Sequence, residues 1–133
     1  MAESGKKVLI ADDEADVHAF VEAALEDDGH EIIDAMNGQE AVDMARSHRP
    51  NLIILDVQMP KKTGFEVFDE LRNDTATKHI PIIMLTAVSK RSGIPFSARD
   101  MGAYYESEPE AFIDKPIDPD TLREVANRLL GIT

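Results

Sequence analysis

The stretch that decides the fold is Leu52-Ile53-Ile54-Leu55-Asp56, an apolar run that ends on a carboxylate. The run shows no alternation of apolar and polar residues, which is typical of a strand buried on both faces of a parallel sheet. Val8-Leu9-Ile10 and Ile82-Ile83-Met84-Leu85 have the same character. The sequence therefore predicts a parallel sheet covered by helices on both faces.

Working outward from this run, β-rich segments alternate with amphipathic segments along the whole chain. The predicted strands are Lys7–Ala11, Glu31–Ala35, Leu52–Asp56, Ile80–Thr86 and Ala111–Asp114. Strands that alternate with helices indicate an α/β fold in which the sheet is parallel. We expect five strands and roughly five helices.

Apolar periodicity and end signals predict the helices. The first helix carries an apolar stripe with helical spacing before Gly29, made of Val17, Phe20, Val21, Ala24 and Leu25. The second opens at Asn37, with Glu40 three residues later, and runs to about His48. The third spans Gly64 to Asn73, with Phe65, Phe68 and Leu71 as its buried residues.

The last helix has signals at both ends. Asp118-Pro119 is a cap followed by a proline in the first turn, and Gly131 ends the helix. Its predicted buried residues are Leu122, Val125, Ala126 and Leu129. A further helix near Ser89 is interrupted by Gly93 and Pro95, because proline lacks a backbone donor and clashes inside a helix.

Length and composition limit the possible functions. The 133 residues suit a single domain over 1–133, and we expect its core at about 6–131, with no output domain. The net charge of −12 disfavours direct binding to nucleic acid or to an anionic membrane. The chain has no cysteine, no secretory signal and no apolar run long enough for a bilayer, so a cytoplasmic location is expected.

Chemically active residues follow four of the predicted strands. In a parallel sheet, ligands bind beyond the carboxyl ends of the strands, at the point where the strand order reverses. Asp12 and Asp13 follow the first strand, Asp56 ends the third, Thr86 ends the fourth and Lys115 follows the fifth. We therefore expect three carboxylates, a hydroxyl and an ammonium at one edge of the sheet.

Such a cluster indicates a hard cation and phosphoryl chemistry. Two carboxylates about 4 Å apart repel by roughly 4 kcal/mol at an effective dielectric constant near 20, so a shared proton or a cation is required. Ligands that are oxygen atoms only suit Mg²⁺ or Ca²⁺, and Mg²⁺ commonly binds substrate phosphate as well. Asp56 is then the candidate nucleophile, and Lys115 would stabilise charge on the transferring phosphoryl group.

Four motifs carry a resemblance to a known family over essentially the whole chain. They are Leu9-Ile10-Ala11-Asp12-Asp13-Glu14, Leu55-Asp56-Val57-Gln58-Met59-Pro60, Leu85-Thr86-Ala87 and Phe112-Ile113-Asp114-Lys115-Pro116. With these motifs the chain resembles the receiver domain of two-component response regulators. The resemblance implies a flavodoxin-like, doubly wound sheet with strand order 2-1-3-4-5. It also implies phosphoryl transfer to Asp56 from a sensor histidine kinase or phosphotransfer protein, and a downstream protein target.

The resemblance also implies roles for single residues. Asp13, Asp56 and the backbone carbonyl of Gln58 would bind Mg²⁺, with Mn²⁺ as an alternative ion, and Asp12 would act through a metal-bound water. Lys115 would contact the phosphoryl group, and the peptide between Lys115 and Pro116 would be cis.

Two further residues are implied to form the switch. Thr86 would move to bind the phosphoryl group, and Phe112 would turn into the space that Thr86 leaves. The protein would then be a switch that catalyses only its own phosphorylation and dephosphorylation, and would not be an enzyme acting on an external substrate.

Three other functions are weaker interpretations of the same residues. A hydrolase of the haloacid-dehalogenase type needs a second aspartate where Gln58 stands, and Gln cannot protonate a leaving group. A flavodoxin needs a phosphate-binding loop after the first strand, where Asp12, Asp13 and Glu14 would repel the phosphate. A degenerate receiver that only docks to partners is disfavoured because every expected site residue is present.

Two regions remain outside this pattern. The segment between Gly102-Ala103 and Phe112 is longer than receivers usually have, and we expect an exposed acidic loop at 104–110. We hypothesise that this loop selects a partner on a face built from the broken helix, the fifth strand and the last helix. The histidines show no metal-ligand spacing, and we expect surface or local roles for His18, His30, His48 and His79.

Overall fold

The computed structural model describes residues 6–25, 29–59, 61–86, 110–115 and 117–131. The strands are β1 (Lys7–Ala11), β2 (Glu31–Ala35), β3 (Leu52–Asp56), β4 (Ile82–Thr86) and β5 (Ala111–Asp114). The described helices are α1 (Ala15–Leu25), α2 (Gly38–His48), α3 (Gly64–Arg72) and α4 (Pro119–Leu130). Within these ranges, no helix combines the length and the apolar character needed to cross a bilayer.

The five strands form one parallel sheet in the order β2-β1-β3-β4-β5, as predicted. Ile10 pairs with Ile54 on β3, and Leu55 pairs with Met84 on β4, so the three most apolar strands lie side by side. The order reverses at β1, because β2 lies on one side of it and β3 on the other. The fold is flavodoxin-like.

Successive strand residues enter two separate cores. Leu9 and Ala11 pack with residues of α2 and α3 on one face of the sheet. Val8 and Ile10 pack with residues of α1 and α4 on the other face. Because neighbouring side chains of a strand point to opposite faces, an unbroken apolar strand requires helices on both sides.

The predicted helix ends agree with the structure. Asn37 accepts a hydrogen bond from the backbone N–H of Glu40 at 2.9 Å and caps α2. Asp118 caps α4 by accepting from the N–H of Thr121, and Gly131 ends that helix with φ at 79°. Glycine adopts a positive φ without the steric penalty that a Cβ imposes.

The buried faces of three helices differ in part from the prediction. Phe20 of α1 is 38% exposed, and His18 is buried beside Val21 and Leu25. In α3, Val67 is buried and Phe65 is only partly buried, and in α4 the innermost C-terminal residue is Leu130, whereas Leu129 is partly buried. These helices have more apolar residues than positions that face the sheet, so the spacing of the apolar residues did not identify which of them are buried.

β4 begins at Ile82, two residues later than predicted. Ile80 is buried, but its N–H closes a turn by donating to the carbonyl of Thr77 at 3.0 Å. Pro81 has no N–H to donate to the sheet, so a regular strand starts only after it.

The amino ends of β4 and β5 are joined by a clamp formed by Arg72 and Glu110. The guanidinium of Arg72 donates to Glu110 Oε1 at 2.7 Å and to the carbonyl of Ile80 at 2.8 Å, and it stacks over the Phe68 ring. Glu110 Oε1 also accepts from the N–H of Ile82 at 2.7 Å. Glu110 is exposed, as predicted for the acidic loop, but its contacts with Arg72 and with the N–H of Ile82 were not predicted.

Several predictions concern residues outside the described ranges. These are the helix near Ser89 with its break at Gly93 and Pro95, the acidic segment before Glu110, and the cis peptide at Pro116.

Candidate functional site

The carboxyl edge of the sheet brings together the residues that the sequence singled out. Lys115 Nζ lies 3.0 Å from Asp12 Oδ2 and 3.1 Å from Asp56 Oδ1, so one ammonium bridges the ends of β1 and β3. The backbone N–H of Lys115 donates to the carbonyl of Thr86 at 2.8 Å, which ties β5 to β4 at this edge. Four strands therefore contribute to one site.

The three carboxylates at this edge form a set that could hold a metal ion. Asp12, Asp13 and Asp56 each offer a carboxylate oxygen, and these oxygens all lie within 4.8 Å of one another. Asp12 is fully buried, Asp56 is 6% exposed, and Asp13 is exposed. A set of oxygen donors that is open on one side fits Mg²⁺, which keeps waters and leaves room for phosphate.

Electrostatics at Asp56 show that burial and the neighbouring carboxylates disfavour its ionised form. Burial and the nearby charge of Asp12 raise the pKa of Asp56 from 3.8 to about 6, and Asp13 adds to the effect. The contact with Lys115 opposes this rise in pKa but does not cancel it. A carboxylate with a raised pKa gains more than an ordinary one when a cation binds beside it.

Lys115 serves as the cation of the site in this structure. Burial alone would lower the pKa of Lys115, but the hydrogen bond to Asp12 and the charge of Asp56 outweigh it, so the pKa is raised. Glu14 adds a weaker contact, with its Oε1 3.7 Å from Lys115 Nζ. Lys115 is therefore held in its charged form among carboxylates.

The position of Asp56 depends on close backbone packing at Gly64. A Cβ built on Gly64 would lie 2.2 Å from the carbonyl oxygen of Asp56 and 2.8 Å from the Cα of Val57. The N–H of Gly64 donates to the carbonyl of Val57 at 2.7 Å. The start of α3 is thereby packed against the backbone of the site, an approach that only glycine permits.

Of the remaining predicted residues, Thr86 and Gln58 lie at the same edge and Phe112 lies near the start of β5, and their roles stay predictions. Thr86 is 3% exposed at the end of β4. Phe112 pairs with Met84 across the strands and is partly buried against the core on the α2–α3 face. Gln58 is exposed in the segment that follows β3.

Sequence reasoning missed His18 and its partner Asp34, which lie behind the site. His18 is 8% exposed, and its ring bridges the backbone carbonyl of Asp12 and the carboxylate of Asp34, each at 2.7 Å. The prediction of a surface position is therefore wrong for His18, and a local role stays possible because its ring contacts nearby residues. The available signal was its spacing, since His18 lies three and seven residues before Val21 and Leu25 on the buried face of α1.

The fold and the site define a class of protein: a doubly wound α/β domain with an aspartate cluster and a lysine at the carboxyl edge. Residues 8–127 match the family model described as the response regulator receiver domain. The chain belongs to that family.

Individual relatives agree with this assignment. The chain is 35% identical over 124 residues to the polar-differentiation response regulator DivK of Brucella anthropi, covering 93% of this chain and 94% of DivK. The structure of the chemotaxis response regulator CheY4 of Vibrio cholerae matches with a TM-score of 0.77 and 31% identity, over 94% of this chain and 98% of CheY4. The chain spans about half the length of several other curated relatives.

A third match has a magnesium ion in its structure. The receiver domain of a sensor histidine kinase from Pseudomonas aeruginosa, with magnesium coordinated in its active-site cleft, has a TM-score of 0.79 over 96% of this chain and 98% of that domain. Its sequence identity is 22%, so this match shows the shared fold.

Proposed function

We propose that this protein is a phosphorylation switch in which Asp56 accepts a phosphoryl group from a phosphohistidine of a sensor kinase or phosphotransfer protein. The observation that carries the proposal is the shared contact of Lys115 with Asp12 and Asp56, at a site where three carboxylates converge. Family membership supports the same reaction, because phosphoryl transfer and signalling to a partner are the general function of receivers.

The chemistry assigns the first step to Asp56. One carboxylate oxygen attacks phosphorus, a P–O bond forms, and the P–N bond of the donor breaks while the imidazole nitrogen keeps the electron pair and takes up a proton. Asp56 must be ionised to attack, and its burial beside Asp12 opposes ionisation. A cation at the cluster relieves that opposition.

Asp13, Asp56 and the backbone carbonyl of Gln58 would hold Mg²⁺, and Asp12 would act through a metal-bound water. Bound Mg²⁺ supplies positive charge for the carboxylates and for the phosphoryl oxygens. Lys115 Nζ lies 3.1 Å from Asp56 Oδ1. It would therefore be within reach of an oxygen of a phosphoryl group carried by Asp56.

Thr86 and Phe112 would pass the signal on. Thr86 follows Leu85, which pairs with Asp56 across β3 and β4, so Thr86 would respond to charge on Asp56. Phe112 is partly buried against the core on the α2–α3 face, and it would turn further inward. The output would be a changed surface around β4 and β5 that a downstream protein recognises.

The proposal is tested by intact-protein mass after incubation with acetyl phosphate. We expect one added phosphoryl group per chain in the wild type with Mg²⁺, and none after chelation. Asp56→Asn should take up no phosphoryl group under either condition. Asp43→Asn, which changes an exposed carboxylate of α2, is the matched control and should behave as the wild type.

Two results would contradict the proposal. An adduct of equal yield on Asp56→Asn would place the acceptor elsewhere in the chain. A wild type that takes up no phosphoryl group and does not respond to beryllofluoride would make the protein a docking module with a receiver fold.

A further inference from the structure

His18 is a buried ionisable residue that the phosphoryl-transfer chemistry leaves without a role. It lies on the sheet-facing side of α1 and is 8% exposed. Nε2 lies 2.7 Å from the backbone carbonyl oxygen of Asp12, and Nδ1 lies 2.7 Å from Asp34 Oδ1. Both distances are at the short end of the range for N–H···O hydrogen bonds.

The two contacts have a defined direction. A carbonyl oxygen only accepts hydrogen bonds, so the Nε2–H of His18 donates to Asp12. Asp34 contacts the opposite nitrogen at the same time, which fixes the rotation of the ring. The Asp34 side chain is 53% exposed, whereas the His18 side chain is 10% exposed, so Asp34 acts as the outer anchor of a buried donor.

The Asp12 carbonyl belongs to the peptide unit that leads to Asp13. That peptide unit is planar, and the Cα of Asp13 lies in the same plane. A hydrogen bond from His18 to the carbonyl oxygen therefore fixes the orientation of the plane and the position of the Asp13 Cα. On the other side of Asp12, its N–H donates to the carbonyl of Ala35 at 3.1 Å. Asp34 and Ala35 are neighbours on β2, so the strand holds Asp12 from both directions.

We infer that His18, anchored by Asp34, is a positioning residue that sets the Asp12–Asp13 peptide and thereby the placement of the Asp13 carboxylate for Mg²⁺. This inference rests on the proposed function, because it concerns the same metal site. It is a separate claim, since Asp12, Asp13 and Asp56 could bind the ion without help from His18.

The geometry of the cation makes the placement matter. Mg²⁺ demands a near-octahedral arrangement of ligands and tolerates little displacement of a carboxylate. Asp13 is exposed, whereas Asp12 and Asp56 are buried, so Asp13 relies more on the backbone that carries it. Loss of a residue that orients a metal ligand typically weakens metal binding by about 10–100-fold.

Two substitutions separate positioning from packing. Gln can place its amide nitrogen near the Nε2 position of His18 and keep the donor to Asp12. Asn reaches only the Nδ1 position and keeps the contact with Asp34. Isothermal titration with MgCl₂ should therefore show near wild-type affinity for His18→Gln and affinity lower by about tenfold for His18→Asn.

Two further readouts accompany the titration. The carbonyl ¹³C shift of Asp12 should move in His18→Asn and stay near the wild-type value in His18→Gln. His48→Asn, an exposed change at the end of α2, is the control and should leave Mg²⁺ affinity unchanged. Urea unfolding of each variant measures stability separately.

The outcomes decide between the two claims. Equal affinities for Gln and Asn, whether both normal or both weakened, would overturn the positioning role of His18. If His18→Asn does not fold, Asp34→Ala decides: weaker Mg²⁺ binding supports the inference, and unchanged binding overturns it. A wild type that binds no Mg²⁺ would overturn the proposed function and this inference together.

Discussion

The amino end of the sheet and its carboxyl end handle charge differently. At the amino end, Arg72 and Glu110 meet at 2.7 Å. Arg72 also donates to the carbonyl of Ile80, and the same Glu110 oxygen accepts from the N–H of Ile82. At the carboxyl end, Lys115 is shared by Asp12 and Asp56. One end balances one positive charge with one negative charge, and the other gathers carboxylates around a single cation.

We infer from this difference that the amino end of the sheet contributes to the stability of the fold, whereas the carboxyl end is suited to bind a ligand. The rise of the Asp56 pKa from 3.8 to about 6 corresponds to roughly 3 kcal/mol of unfavourable free energy when Asp56 is ionised. Under the proposed function, a cation or a phosphoryl group with its metal would relieve that energy, so the raised pKa of Asp56 would favour ligand binding. At the amino end, each charge of the clamp already has its partner within the chain.

The largest expected effect is the loss of the amino-end clamp in Arg72→Ala. The side chain of Arg72 is 12% exposed, and its removal leaves Glu110 and the carbonyl of Ile80 without this donor. Loss of a charge-assisted hydrogen bond together with the donor to a buried backbone carbonyl destabilises a protein by about 3 kcal/mol. We expect a loss of that size in urea unfolding, with acetyl phosphate labelling of the folded fraction retained.

Arg46→Ala is the matched control for this clamp. Arg46 also contacts two carboxylates, Asp74 and Glu70, but its side chain is 44% exposed on α2. Its loss should be smaller than that of Arg72 and should shrink further in high salt, because exposed ion pairs are screened. Equal losses for the two arginines would show that the amino end is not specially stabilised.

The fold was largely predictable because it rests on local patterns. Four of the five strands begin and end as predicted, since each is an apolar run bounded by polar residues. β4 was predicted too long because Ile80 is as buried as a strand residue while its N–H belongs to a turn. Burial can be inferred from residue type, but the partner of each backbone group cannot.

The candidate site was predictable only where a residue directly follows a strand. Asp12, Asp56 and Lys115 were placed together because parallel strands deliver their carboxyl ends to one edge. His18 and the pair of Arg72 with Glu110 were missed, since their partners lie far away in the sequence. Such contacts depend on how helices rotate against the sheet, which the spacing of apolar residues only approximates.

A second prediction compares two glycines near the carboxyl end. Gly64→Ala brings a Cβ to 2.2 Å from the carbonyl oxygen of Asp56, and Gly38→Ala brings one to 2.2 Å from the carbonyl oxygen of Lys62. Each clash is with backbone, so each should lower stability by about 2 kcal/mol. Only Gly64→Ala displaces Asp56, so it alone should slow labelling by acetyl phosphate and weaken Mg²⁺ binding.

The folded fraction of each glycine variant must be measured before the labelling rates are compared. Equal labelling rates for folded Gly64→Ala and Gly38→Ala would show that the packing of α3 on Asp56 serves stability alone. A loss of labelling in Gly38→Ala would extend the carboxyl-end site to the segment at Lys62.

The smallest expected effect is a gain of stability at the carboxyl end, in Asp56→Asn without Mg²⁺. The folded-state pKa of Asp56, about 6, lies above its unfolded value of 3.8, so folding favours the neutral carboxyl group. The contribution of this group to stability is full below pH 4 and is lost as the pH rises through 6. The amide of the Asp56→Asn variant would remain neutral throughout, so the variant should be more stable than the wild type above pH 6.

We expect this gain to be about 1–2 kcal/mol at pH 8, less than the full linkage value because a buried amide carries its own desolvation penalty. Urea unfolding at pH 4, 6 and 8 should show the stability of the variant relative to the wild type rising with pH, from a small loss at pH 4, where only the amide penalty acts, to this gain at pH 8. Saturating Mg²⁺ should narrow it, since the ion stabilises the folded wild type by binding to it. A variant less stable than the wild type at pH 8 would mean that Lys115 already balances the carboxyl end, and the contrast between the two ends of the sheet would not hold.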